Sequence, residues 1–184
     1  IRKDPPFDDD YMWLSLVLEP VRGTTLVVND PRGLRDANEK LYACHFPEHM
    51  PPTLVSAHKG RIKAFLADIG GKGVIKPVDG HGGHGIFKLG LDDPNLNACI
   101  ETVTLAGRRL AMVQGFLEAV TEGDKRILLL DGEPLGAILR VPQGGDLRGN
   151  IHVGGKVVAT EIDAADRAII AAVAPRLRAD GLAF

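Results

Sequence analysis

The sequence predicts an α/β chain, of the α+β kind, folded as two small lobes. Three observations point there. Residues 32–117 run through strand, helix, strand, glycine loop, strand, helix and strand signals in turn. Residues 127–141 then read as a hairpin around Asp131-Gly132, the dipeptide that favours a tight turn. A second glycine-rich, cationic loop follows from Pro142 to Lys156, ahead of a helix spanning Asp163 to Asp180.

The chain begins with Arg2-Lys3-Asp4-Pro5-Pro6-Phe7-Asp8, an extended polar segment stiffened by two prolines. An amphipathic stretch with Met12, Leu14, Leu16, Val17 and Leu18 comes next, and Thr24 to Val28 reads as a short strand. Asp30-Pro31 is a helix start, with aspartate as N-cap and proline at the first helical position. Leu34, Ala37, Leu41 and Cys44 continue at helical spacing, which puts Lys40 on that helix, solvated unless a site claims it. Pro51-Pro52-Thr53 breaks the chain and Leu54-Val55 suggests a brief strand. Ser56 is the expected cap of a helix with Ile62, Phe65, Leu66 and Ile69 inward, ended by Gly70-Gly71.

The stretch from Gly73 to Leu89 organises the first lobe. Val74 and Ile75 end a buried strand, Lys76 follows directly, and Gly80, Gly82, Gly83 and Gly85 lie within six positions. Ile86, Phe87 and Leu89 begin the next strand. Glycines let several backbone N–H groups aim at one anion, and a lysine at the stem adds a point charge suited to phosphate. Gly80 to Gly85 matches G-x-G-x-x-G, but the alternation after it is strand chemistry, so no helix N-terminus awaits a pyrophosphate. The Walker A pattern fails because the lysine precedes the loop. A glycine hairpin folding over a triphosphate survives, beside the plainer reading of a flexible turn.

Beyond this loop, Asp92-Asp93-Pro94-Asn95 starts a helix with Leu96, Ile100 and Val103 inward, and Leu110 to Leu117 reads as a strand ending in a linker. In the hairpin that follows, Arg126 enters one strand and Arg140 leaves the other. A three-residue turn would put both guanidinium groups on one face; two or four residues would separate them. Ordinary strand-end salt bridges are the alternative role for both. In the last helix Ala165, Ile169, Ile170, Val173 and Leu177 point inward, and Pro175 marks an expected irregularity.

Composition excludes several classes. The 184 residues are 45% hydrophobic and 25% charged with a formal net charge of −2, which gives no basis for binding nucleic acid or an acidic membrane. A chain of this length buries about 70% of its unfolded surface, enough for one or two small cores. Apolar runs such as Ala168 to Ala174 fall short of the ~20 residues a membrane helix needs. Cys44 and Cys99 have no partners at metal spacing, which suits small buried hydrophobes in a reducing, cytoplasmic setting. His81 and His84 stand three apart in a glycine loop rather than on a helix, so they read as loop residues and not a metal pair. No signal-peptide pattern opens the sequence. It starts at Ile1 rather than methionine and stops after Leu182-Ala183-Phe184, which look like the first steps of a strand, so a fragment of a longer protein is expected.

Taken together the motifs resemble one family. Arg2 to Asp8, Leu34-Arg35-Asp36-Ala37-Asn38-Glu39-Lys40-Leu41, Lys76-Pro77-Val78-Asp79-Gly80 with Gly82-Gly83, Gly123-Asp124-Lys125-Arg126, Asp131-Gly132-Glu133-Pro134, Arg140 to Gly145 and Arg148-Gly149-Asn150 resemble, in collinear order, the bacterial glutathione synthetases of the ATP-grasp superfamily. That resemblance implies an ATP-grasp fold of two lobes, each mainly antiparallel sheet with helices, holding ATP between them. It divides the chain into residues 1–31, the end of an N-terminal lobe, 32–117, the first ATP-grasp lobe, and 118–184, a truncated second lobe. It implies a ligase joining γ-glutamylcysteine to glycine through an acyl phosphate, using ATP and Mg2+, with Mn2+ as a substitute.

Under that resemblance Lys40 and Lys76 are ATP-contacting lysines, and Gly82, Gly83 and Gly85 cover the phosphates. Gln114, Phe116 and Leu117 form the linker that meets adenine, and Asp124 lies near the nucleotide. Arg126 stabilises charge at the reacting carboxyl, with Gly154 adding a backbone donor, and Arg140 and Arg148 join Arg126 in binding peptide. The family's metal ligands would lie beyond Phe184, so none is assigned here, and the chain as it stands is expected to show little or no ligase activity. A homo-oligomer is implied as well. Another ATP-grasp carboxylate–amine ligase and a non-catalytic nucleotide-binding fragment are the alternatives.

Overall fold

The computed structural model describes residues 6–143 and 154–183. Within them residues 39–117 form one compact unit, and the described parts of Ile1–Asn38 and Glu118–Phe184 form the other.

In the 39–117 unit, β1 (Thr53–Ser56), α3 (Lys59–Asp68), β2 (Lys72–Pro77), β3 (Phe87–Gly90), α4 (Leu96–Thr104) and β4 (Ala111–Gly115) follow in order. The strands make one antiparallel sheet in the order β1-β4-β2-β3. Strand side chains alternate between faces, so the register assigns each residue a side. Ile75 faces the same way as its partner Val113, and Leu89 and Ala111 share that side. They are buried with Ile62 and Leu66 of α3 and Leu96, Ile100 and Val103 of α4 in a single core. Thr53, Gln114, Val74 and Lys76 belong to the opposite face. One face is apolar and covered by the helices; the other carries Thr53, Gln114 and Lys76 beside Val55, Val74 and the buried Met112.

Ile100 is fully buried at the centre of this core. Ile100→Ala is expected to destabilise this unit by about 2–5 kcal/mol, because the removed methylenes leave a void that the sheet cannot collapse into. Urea unfolding followed by circular dichroism measures it.

The other unit contains α1 (Asp9–Leu18), α2 (Pro31–Asp36), β5 (Asp124–Leu130), β6 (Glu133–Val141), β7 (Lys156–Thr160) and α5 (Ala164–Ala179). The three strands form an antiparallel sheet in sequence order. Asp131 and Gly132 both have positive φ, 48° and 76°, the two-residue turn that the dipeptide signals. Asp163 opens α5 with a reciprocal capping box to Asp166, and Lys125 reaches both carboxylates at 3.0 and 2.6 Å.

Several expectations are corrected. Thr24 to Val28 is not a strand: only an isolated Arg22–Thr25 bridge forms, and Leu26 is 90% exposed, since a strand without a partner gains no ladder bonds. The helix begun at Pro31 ends at Asp36, because Ala37 leaves the helical region with ψ 63°. Cys44 falls in a separate 3-10 turn, Tyr42–His45, and Lys40 in a turn before it. The cap of α3 is His58, whose Nδ1 accepts from Arg61 N–H, while Ser56 Oγ accepts from His58 N–H. Pro175 stands inside an unbroken helix; it forfeits one donor, and the buried Ile170 and Ala174 keep that segment packed. Leu182 and Ala183 form no strand, although Ala183 O accepts from Asp131 N–H at 2.7 Å. β7 had no counterpart in the sequence reading.

Candidate functional site

The face of the 39–117 sheet away from its core carries the first group of expected site residues. Lys76 Nζ donates to Gln114 Oε1 at 2.7 Å, and Gln114 Nε2 donates to Thr53 Oγ1 at 3.0 Å. Burial pushes the Lys76 ammonium below the usual lysine range, and the nearby Lys40 charge pushes it further, with Glu39 opposing. A cation held half-desolvated beside another cation is a site prepared for an anion.

Lys40 reaches this region from its turn, and its ammonium donates to the carbonyl of Gly80 while standing 3.4 Å from Glu39 Oε1. The first expected lysine thus holds the glycine loop that the second one precedes. The loop itself needs its glycines: Gly82, Gly83 and Gly85 have φ of 63°, 83° and 70°, where a side chain is strained. Asp79, at its stem, pairs with Arg109 just before β4. The rings of His81 and His84 lie 6.1 Å apart.

Phe116 and Leu117 leave the end of β4. Phe116 N–H donates to Lys72 O at 3.4 Å, and Lys88 Nζ stands 3.9 Å from the Phe116 ring centroid. Lys88 and Thr53 were not singled out from sequence. Strand alternation held the signal for both: Lys88 pairs with Val74, on the face of Lys76, and Thr53 pairs with Gln114.

The second group lies on the β5–β6 hairpin. Its turn has two residues, which alone would place Arg126 and Arg140 on opposite faces. A bulge between Leu128 and Leu129 shifts the register, so Asp124 pairs with Arg140 and Arg126 with Ile138, and all three charged residues share one face. Arg140 is largely buried and engages the Asp124 carboxylate through Nε and Nη2, whereas Arg126 is 59% exposed with its Nε 3.3 Å from the same carboxylate. Burial would raise the Asp124 carboxyl; the Arg140 guanidinium, then Arg126, outweigh that and hold it below the usual carboxylate range. Asp124 is therefore an anchor that orients two guanidinium groups, and Arg126 is the one presented outward.

Gly154 stands just before β7 with φ 93°, and nothing lies within 4 Å of where a Cβ would be. Arg148, with the loop from Gly144 to Val153, lies outside the described residues. Among the described residues no three of His, Cys, Asp and Glu converge as a metal set, and the Asp124 carboxylate is occupied by arginines. The described residues do not fit a divalent cation, and no step is routed through one.

Comparison with known proteins decides the family. The ATP-grasp domain model of prokaryotic glutathione synthetase matches residues 39–184, and the N-terminal domain model of the same enzyme matches residues 1–35. The chain belongs to the prokaryotic glutathione synthetase family. Glutathione synthetases of Gloeobacter violaceus and a Synechocystis strain are 53% and 47% identical to it over its whole length. The chain spans 58% of the length of each of these relatives. Among solved structures, a D-cycloserine synthetase superimposes with TM-score 0.69 at 19% identity, covering 95% of this chain and 63% of its own. An ATP-grasp RimK domain protein from Sphaerobacter thermophilus gives 0.66 at 22% identity, covering 94% and 61%. These two likenesses establish the ATP-grasp fold, in keeping with the helices and antiparallel sheets seen here.

Proposed function

We propose that this chain carries the nucleotide-binding core of an ATP-dependent ligase that joins γ-glutamylcysteine to glycine, making glutathione. The observation that carries the reading is the half-buried Lys76 ammonium beside Lys40, at the stem of a glycine loop, in a chain of this family. Lys76 and Lys40 bind the phosphates of ATP, with Gly82, Gly83 and Gly85 allowing the loop backbone to approach them. Gln114, Phe116 and Leu117 meet the adenine. The dipeptide carboxylate attacks the γ-phosphorus and ADP leaves; the glycine nitrogen then attacks the acyl phosphate, loses its proton and expels phosphate. Arg126 and the Gly154 N–H stabilise the oxygen on which negative charge develops, while Arg140 and Arg148 hold the peptide. Asp124 lies near the nucleotide, and its carboxylate orients Arg126 and Arg140.

Magnesium, or manganese in its place, is the cation this chemistry uses, and its ligands are not assigned among the described residues. In the same reading, residues 1–31 close an N-terminal lobe, and 32–117 and 118–184 supply the two ATP-grasp lobes. Small molecules rather than nucleic acid or membrane are its partners, supported by the net charge of −2. No helix among the described residues is long and apolar enough to cross a membrane. A cytoplasmic setting is supported by the free thiols of Cys44 and Cys99, and a homo-oligomer by the resemblance.

The test is phosphate release from ATP with γ-glutamylcysteine and glycine, using the protein carried to the full length of its relatives. Release dependent on both substrates supports the reading. Release only with a different amine or carboxylate would make it another ATP-grasp ligase, and ATP binding without release a nucleotide-binding module.

A further inference from the structure

We propose that Thr53 is a positioning residue for Lys76, acting through the side-chain amide of Gln114. The proposal rests on the reading of Lys76 as an ATP-binding lysine. A threonine hydroxyl has one proton to donate, and here Thr53 Oγ1 gives it to the Pro51 carbonyl at 2.7 Å. Towards Gln114 the same oxygen can then only accept, so the group facing it at 3.0 Å has to be the amide nitrogen. At the other end an ammonium only donates, so Lys76 at 2.7 Å has to meet the amide oxygen. Both ends demand the same orientation of one planar group, and the chain from Pro51 to Lys76 runs in a single direction.

Burial makes that direction matter. Gln114 is only 7% exposed, so its amide has little water to turn to if an anchor is lost. Without the Thr53 hydroxyl, Nε2 is left unpaired, and rotation of the amide would bring a donor against the ammonium. Lys76 would lose the acceptor that fixes one of its three N–H bonds and leaves the others for ligand oxygens. The register adds the geometric reason: Thr53 and Val74 flank Gln114 on neighbouring strands, with Lys76 two residues along on the same face. Thr53 lies on the edge strand of its sheet, where a small change of side chain leaves the core between sheet and helices intact.

Calorimetric titration with ATP tests the proposal on the protein carried to the full length of its relatives, as wild type, Thr53→Val, Thr53→Ser, Lys76→Ala and the Thr53→Val/Lys76→Ala pair, with thermal unfolding of each. Thr53→Val is expected to lose about tenfold in ATP affinity, while Thr53→Ser, which keeps the hydroxyl, stays within about twofold of wild type. In the Lys76→Ala background the valine should add no further loss, because its effect passes through the lysine. Wild-type affinity in Thr53→Val overturns the proposal. So does a loss in Thr53→Ser equal to that in valine, or an undiminished loss in the double variant. Should the valine chain not fold, Thr53→Ala deletes the same hydroxyl and is read identically. If wild type binds no ATP, or Lys76→Ala binds it normally, the nucleotide reading of Lys76 falls and this role with it. A weakened Lys76→Ala beside an unaffected Thr53→Val removes the Thr53 role alone.

Discussion

Lys76→Ala is expected to weaken ATP binding by about ten- to hundredfold, the range set by losing a charge-assisted hydrogen bond of about 1.5–3 kcal/mol. The reason is the environment, not merely the charge. Burial and the Lys40 charge already push this ammonium below its ordinary range, with Glu39 in part restoring it, so an arriving phosphate relieves an existing penalty. The pH dependence follows with a definite sign. A bound anion favours the protonated lysine, so affinity is full below the lowered value of free Lys76 and falls as pH rises through it. Between that value and the higher one in the complex, ATP binding takes up a proton. Titrations in buffers of different ionisation enthalpy read that uptake directly. Lys76→Arg, whose guanidinium does not titrate there, should show a flat profile over the same range. Stability carries the opposite dependence. A lysine depressed on folding favours the folded state above its ordinary ~10.4, and that contribution is lost as pH falls through the folded value. An ATP affinity unchanged by Lys76→Ala would remove the phosphate role.

Arg126→Ala is expected to lower turnover by about 10²–10³ in a form of the protein that makes glutathione, while ATP affinity changes little. Arg126 is the exposed member of the pair on Asp124, and Arg140 is the buried one. A group that meets charge only as it develops in the reaction affects kcat rather than nucleotide binding. Asp124→Asn, which keeps the shape but removes the charge orienting both arginines, should give a smaller loss of the same kind. Steady-state rates with γ-glutamylcysteine and glycine, set beside calorimetric ATP affinities, separate the two outcomes. An equal loss of ATP affinity in Arg126→Ala would assign that arginine to the nucleotide instead.

The residues of the candidate site were mostly legible because their chemistry is concentrated locally. A lysine directly after a buried strand and a following loop dense in glycine mark a candidate cradle without any tertiary contact, and three of those glycines stand at positive φ. The inward positions of α3 and α4 were legible for a similar reason: Ile62, Leu66, Leu96, Ile100 and Val103 repeat at helical spacing, and all are buried in one core. Elements that depend on a distant partner were not. Thr24 to Val28 has the residues of a strand and forms none, since propensity without a neighbour makes no ladder. Val157 and Val158 of β7 had β-branched character, but β7 exists through its pairing with β6.

By itself, then, the sequence determined which residues carry charge, that the loop after Lys76 turns at positive φ, and which residues of α3 and α4 face inward, because each follows from a side chain and its nearest neighbours. On α5 it did not, since Ile169, expected inward, is 42% exposed. Only the tertiary structure decided how those groups meet. It carried Lys40 from an expected helix to a turn that reaches Gly80, and it put Lys76 against Gln114 across two strands. It also set Arg126 and Arg140 on one face by a bulge that no two-residue turn foretells. The physical reason is register: shifting a strand pair by a single residue exchanges its faces, and the energy that selects the shift comes from packing across the whole sheet.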